Sequence, residues 1–207
     1  MQSLAILALA GFLTASSLPA DPSVATFHDT LLHYTITYPT TLTAADVGKE
    51  IMDKATSETN DDAKKKAMGC ISTPLIAMRQ TDDFAMLMIV RMDLECLGAP
   101  ATSSVLQPLA QSSLQQGLLK LGLATVGTPT PYKLDGHDAV YLRGTVTDTA
   151  GKDKAFGAAS CALVEKSAVC WEAIATDKAM VSTLSATAIN FDGHASQPLV
   201  PADVIAK

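Results

Sequence analysis

Four side chains carry the most specific chemistry available to this chain: Cys70, Cys96, Cys161 and Cys170. The stretch CALVEKSAVC places Cys161 and Cys170 symmetrically about Glu165–Lys166. Three chemistries use paired cysteines. A zinc site wants close ligands such as C-x2-C, and none is present. A thioredoxin-like redox pair needs C-x-x-C at a βα turn, which is also absent. A staple across a hairpin needs two cysteines at facing positions. With Glu165–Lys166 at the tip, 164 faces 167 and 161 faces 170. Alternation makes 161–170 a non-hydrogen-bonded pair, with Cα atoms about 4.5 Å apart, within reach of a disulfide. Glu-Lys is not a favoured two-residue turn, and a four-residue loop about the same midpoint keeps the pairing. Cys70 and Cys96 flank a second hairpin whose turn lies near residue 83. The expected bridges are therefore 70–96 and 161–170. Convergence of four cysteines on one metal is the alternative.

Other chemistry is sparse. G-x-S-x-G, S-x-x-K, H-E-x-x-H, the phosphate loop and the dinucleotide fingerprint are all missing. GAASC, residues 157–161, lies mid-strand, not at a nucleophile elbow. His28, His33, His137 and His194 show no spacing that links them to a thiol or hydroxyl. Asp53, Glu58, Asp61 and Asp62 lack a calcium-loop frame and read as a solvated helix face. No catalytic, cofactor or metal residue is assigned. The arginines Arg79, Arg91 and Arg143 all fall on predicted strands. If they converge they make an anion site. Arg91 also has Asp93 and Glu95 as neighbours for ion pairing. Trp171 reads as core packing, with ligand stacking as its functional alternative. These three arginines and Trp171 are the candidate ligand or partner surface. Met68, Met78, Met86, Met88 and Met92 cluster in or beside one hairpin. Core filling is their ordinary role, and an adaptable apolar surface is the other.

The elements that position these residues follow from periodicity. LLHYTITYP, residues 31–39, alternates with Leu32, Tyr34, Ile36 and Tyr38 on one face, a strand closed by Pro39. Residues 21–30 read as a short lead. TAADVGKEIMDKA (43–55) and DDAKKKAM read as helix, and Lys64–Lys66 as its solvated end. CISTPLIAMR and FAMLMIVRMDLE form an antiparallel hairpin about TDD. Leu106, Leu109, Leu114, Leu118 and Leu121 give a helical stripe starting near Gln107, with Gly122 as its stop. Residues 124–134 read as one Pro-interrupted edge strand. DGHD turns into a strand over 139–147, and 155–164 with 168–176 makes a further hairpin. DKAMVSTLSATAI reads as a closing helix capped by Asp177 or Thr176. The tail, 194–207, carries two prolines and reads as flexible. The order β, α, hairpin, α, meander, α implies one α+β domain over 21–193, a twisted and mainly antiparallel sheet with helices packed on it.

MQSLAILALAGFLTASSLPA has no charged side chain and an apolar run from Leu4 to Leu13. That is signal-peptide layout, although the leading segment lacks Lys or Arg. Cleavage after Ser17 or Ala20 would release a chain with no later apolar segment long enough to span a bilayer. An even cysteine count agrees with export. The chain is 48% hydrophobic and 17% charged over 207 residues, enough to bury a core. A formal charge of −6 disfavours nucleic acid as a partner.

FHDTLLHYTITYP, YKLDGHDAVYLRGTV and VCWEAIATDKAMVSTLSATAINFDG together resemble the MOG1/PsbP-like fold. There an opening aromatic strand ends in Tyr-Pro. An "ldG-x-x-A" turn begins a meander, and a last helix runs into a short I-x-F strand. The two expected disulfides depart from many bacterial members. The resemblance implies a binding, adaptor or assembly role and transfers no catalytic residue. The expectation is therefore an extracytoplasmic, non-catalytic domain that binds a protein or a small apolar ligand. A hydrolase with a scattered site and a structural envelope component are the alternatives.

Overall fold

The computed structural model describes residues 23–45, 57, 61–81 and 83–206. The expected signal segment and most of the helix expected over 43–55 lie outside the described residues. Among those described, two antiparallel sheets stack face to face, and helices cover the larger one.

The larger sheet is built on a central hairpin, β9 (Asp153–Val164) and β10 (Ser167–Ala175). Glu165 takes φ 53° at the turn, which lets the tight loop close without glycine. The register places Cys161 opposite Cys170, and their Cα atoms are 4.1 Å apart in the bridged pair. On one side β10 pairs with β5 (Ala85–Asp93), then β4 (Ile71–Arg79), then the short β3 (Thr43–Ala44). On the other side β9 pairs with β8 (His137–Thr147). Residues 124–134 do not form one strand. Gly127–Pro129 breaks them into β6 (Leu123–Val126) and β7 (Thr130–Leu134), and both pair with β8. Asp135 and Gly136 both take positive φ, 50° and 83°, in the turn from β7 to β8. Cys70 and Cys96 close the β4–β5 hairpin at its open end, as their spacing predicts. Pro74 falls where the β4–β5 register shifts, between Ser72 and Leu75.

The sequence suggests one sheet, and the fold has a second. Val24–Asp29, read as a lead, is strand β1, which pairs with β2 (Tyr34–Pro39). Ala188–Phe191 leaves the closing helix to form β11, which pairs with β2. Gln197–Pro198 adds β12. Tyr34, Ile36 and Tyr38 point into the space between the sheets and are buried there with Trp171 and Ile89.

The expected flexible tail is also different. Leu199 N donates to Thr187 O at 2.7 Å, and Val200 N to Ser185 O at 3.1 Å. Leu199, Val200 and Val204 are buried, and a short helix, Ala202–Ile205, follows. Its two prolines stiffen an extended segment whose apolar residues dock into the first core.

On its outer face the larger sheet receives helix α2 (Leu106–Leu119), which follows a 3-10 turn at Ser103–Val105. Helix α1 (Asp62–Gly69) precedes β4 and is capped by Asp61. Helix α3 (Lys178–Ser185) is capped by Asp177, whose carboxylate accepts from Ala179 N at 2.9 Å. Leu114 and Leu118 of α2 lie directly over Gly144 and Gly157. A Cβ on Gly144 would stand 2.5 Å from Leu118 Cδ1 and 3.1 Å from the Thr125 carbonyl oxygen. The helix therefore needs a bare patch of sheet.

Gly144→Ala is expected to cost about 1–3 kcal/mol through overpacking. Gly69→Ala, where a Cβ meets nothing within 4 Å, should be neutral or slightly stabilising. Urea denaturation of both variants checks the difference.

Candidate functional site

The three arginines share the inner face of the larger sheet but do not meet. Arg79 sits opposite Ala85 at the β4–β5 tip, and its Nε donates to Asp83 O at 3.0 Å. Arg91 lies at the far end of β5. Arg143 is on β8, three strands away from β5, a separation of roughly 14 Å. The convergent anion site is therefore not formed, and each arginine has its own setting.

Arg91 is engaged with Asp29. Its Nη1 donates to Asp29 Oδ1 at 3.2 Å and Oδ2 at 3.1 Å. Asp29 is buried, and its Oδ1 also accepts from the backbone N–H groups of Leu31 and Leu32 at 2.9 and 3.0 Å. That carboxylate organises the β1–β2 turn and ties the small sheet to β5. Asp93 and Glu95, the sequence neighbours of Arg91, go elsewhere: Asp93 accepts from Cys96 N, and Glu95 from Lys166. Beside Asp29, Tyr34 and Trp171 pack edge to face with ring centroids 5.5 Å apart. Trp171 is 2% exposed, so it is a core residue and offers no surface to a partner. The Tyr34 hydroxyl and the Trp171 indole N–H lie near one another without a well-formed hydrogen bond. Burial, and then the charge of Asp29, push the Tyr34 phenol upward.

Arg143 is different. Its Nε donates to Tyr141 Oη at 3.2 Å, and its guanidinium carbon stands 5.8 Å from the centroid of the same ring. Tyr141 Oη is 3.5 Å from Ser185 Oγ, which itself donates to Val181 O at 2.8 Å. These contacts hold the base of the guanidinium, and its outer nitrogens have no hydrogen-bond partner among the described residues. Among the described residues Arg143 makes no ion pair. It stands between two grooves. One, of about 170 Å3, is bounded by Thr128, Thr130 and Val204. The other, of about 160 Å3, is bounded by Thr145, Lys178 and Ser182. Asp153 lies on the rim of the second groove, outside ion-pair distance of Arg143. A half-buried arginine, a lysine and two hydroxyls around one small groove suit a carboxylate or phosphate group.

Two buried polar groups escape a reading from sequence. Tyr132 donates to Leu199 O at 2.9 Å and also contacts Ser160, so it tethers the tail; burial pushes its phenol upward. Glu172 is fully buried beneath α2. Ser113 donates to its Oε1, while Oε2 has no partner. The only sequence signal for its position is alternation: it shares a face with Cys170 and Ile174. Burial raises its carboxyl above the ordinary 4.5, against a smaller opposing effect of Ser113.

The four histidines, all among the described residues, have separate partners. His28 Nδ1 meets Thr35 Oγ1 at 3.0 Å, His33 lies 3.6 Å from Asp192, and His194 pairs with Asp135. His137 packs on Phe191 with centroids 4.8 Å apart. None of these contacts brings a serine, and all four cysteines are bridged. Among the described residues no group of three or more His, Cys, Asp or Glu is placed to hold a metal. No described helix is long and apolar enough to cross a membrane.

No family profile and no curated protein matches the chain. Among solved structures it is similar to the solution structure of cyanobacterial PsbP (CyanoP) from Synechocystis sp. PCC 6803. The identity is 15%, the match covers 84% of this chain and 92% of that one, and the TM-score is 0.47.

Glu172 holds its proton more tightly in the folded chain than in the unfolded one. Its contribution to stability is fully present below the unfolded carboxyl's titration and is lost as pH rises through the raised folded value. Glu172→Gln does not titrate. Its melting temperature relative to the parent chain is therefore expected to rise as pH is taken from 4 to 8. A constant gap across that range would show that the buried carboxyl does not titrate differently on folding.

Proposed function

We propose that this chain is an exported, non-catalytic binding domain that takes an anionic group, a carboxylate or phosphate of a small molecule or of a partner protein, against Arg143. The observation that carries the reading is the unmatched guanidinium. Arg91 is neutralised by Asp29 and Arg79 is bound to a backbone carbonyl, but Arg143 is oriented by Tyr141 and left without a counter-ion among the described residues. A half-buried arginine with fixed orientation is already ordered for a ligand. Lys178 supplies a second positive charge on the same groove, and Ser182 and Thr145 supply hydroxyls.

Export is supported by the apolar N-terminal run and by two bridges in a chain with no free cysteine among the described residues. The resemblance of the sequence motifs to MOG1/PsbP-like proteins points to the same class of role, binding or assembly. The hydrolase alternative finds less support, because among the described residues no histidine contacts a serine or a free thiol, and the one hydroxyl contact, His28 with Thr35, is exposed and shows no third orienting group.

Calorimetric titration with inorganic phosphate and, separately, with succinate tests the reading and tells the two anions apart. Arg143→Gln is expected to weaken the preferred anion at least about tenfold, the scale of one charge-assisted hydrogen bond. Lys178→Gln should weaken it less. Unchanged affinity in Arg143→Gln would reject the site.

A further inference from the structure

Three methionines gather on one face of the larger sheet, Met86 at the margin of the second core and Met78 and Met88 outside both cores formed by the described residues. On β5, Met86 and Met88 are two residues apart and so share a face, the outer face of the larger sheet. On β4, Met78 lies directly opposite Met86 in the antiparallel register. Directly opposed side chains on one face have Cβ atoms about 4.5–5.5 Å apart, and the diagonal Met78–Met88 pair is about 7–8 Å apart. All three side chains are half-buried. Helix α2 lies over β8, β9 and β10, beside this patch and not on it. Met92, further along the same face, is buried in the second core opposite Ile71, whereas Met78 and Met88 belong to neither core.

Among the described residues, core filling therefore accounts for Met92 and in part for Met86, but not for Met78 and Met88. The Met78 thioether is already used as a polar group: Gln80 Nε2 donates to its sulfur at 3.0 Å. Unbranched, three-torsion side chains can turn their sulfur atoms toward a common point without moving the sheet. Thioethers are soft ligands. They select copper(I) and its analogue silver(I) over zinc, calcium or magnesium. Competing thiolates are removed, because every cysteine is bridged. The nearest buried carboxylate, Glu172, sits opposite Met88 in the register but is bonded to Ser113 under α2.

We propose that Met78, Met86 and Met88 form a three-thioether site for a soft monovalent metal ion, copper(I) or its analogue silver(I). The site is independent of the Arg143 groove and lies on the opposite face of the larger sheet. Its ligand set is neutral, so it binds without releasing protons from its ligands, unlike a thiolate or imidazole site.

Silver(I) nitrate is the probe, since it needs no reductant and leaves both disulfides intact. Titration of the full chain in chloride-free buffer, followed by calorimetry, is expected to show one tight equivalent. Met86→Leu and Met88→Leu should each weaken it at least tenfold, and the triple variant Met78→Leu, Met86→Leu, Met88→Leu should lose it. Met92→Leu should bind as the parent chain does. Leucine keeps the volume of methionine closely enough for folding to persist, and thermal melts of each variant check this. Affinity that is constant between pH 6 and 8 supports thioether ligation, whereas affinity falling toward pH 6 indicates histidine. Absence of saturable binding, histidine-like pH dependence, or undiminished binding in the triple variant would overturn the proposal.

Discussion

The register of β9 against β10 is the constraint on which the other layers depend. Because strand side chains alternate, this single pairing decides which residues meet α2 and which meet the small sheet. Cys170, Glu172 and Ile174 face outward to the helix, while Val169, Trp171 and Ala173 face inward to Tyr34 and its neighbours. A slip of one residue would send Trp171 under α2 and expose the inner face to a mismatched surface. The turn at Glu165 and the bridge between Cys161 and Cys170 both oppose that slip. Both cysteines are fully buried, so the staple belongs to the core and not to an exposed redox centre.

From that hairpin the rest of the structure is placed strand by strand. β8 takes its register from β9, which sets Arg143 opposite Ala158 and Gly144 opposite Gly157. The glycine pair lets α2 approach, and the neighbouring arginine emerges on the opposite face. There it meets Tyr141, α3 and the docked C-terminal segment. The tail matters to this arrangement, since Val204 forms one wall beside Arg143 and Tyr132 holds Leu199. Arg143 thus stands between two grooves, one walled by the docked tail and the other, the proposed anion groove, by β8, β9 and α3.

Features that depend on nearby residues were legible from sequence. The symmetry of CALVEKSAVC about its midpoint locates a turn and a bridge. The leucine spacing of 106–118 locates α2, and Asp177 marks the start of α3. Features that depend on distant partners were not. Val24–Asp29 alternates only weakly in burial and gains strand structure from β2. Gln197–Pro198 becomes a strand by adding to β11, itself the short I-x-F strand that the family resemblance implies and that periodicity alone assigns to the closing helix. The tail reads as loose because two prolines dominate its local signal, while Leu199 and Val200 find their contacts on α3 and β7. For the arginines, alternation does place all three on one face. It says nothing of their spacing across the sheet, nor that Asp29, sixty-two positions from Arg91, takes one of them out of play. Glu172 is the sharpest case, since no local rule puts a carboxylate under a helix.

Arg143, without a counter-ion among the described residues and oriented by Tyr141, is the ligand-binding group that we propose for the domain. Two-dimensional 1H–15N NMR of the labelled chain during a phosphate titration tests it most directly. Saturable shifts of the Arg143 side-chain Nε–H are expected together with the amides of Thr145, Lys178 and Ser182, with little change around Arg91. Shifts confined to the Lys64–Lys66 helix end, or a uniform drift without saturation, would contradict it.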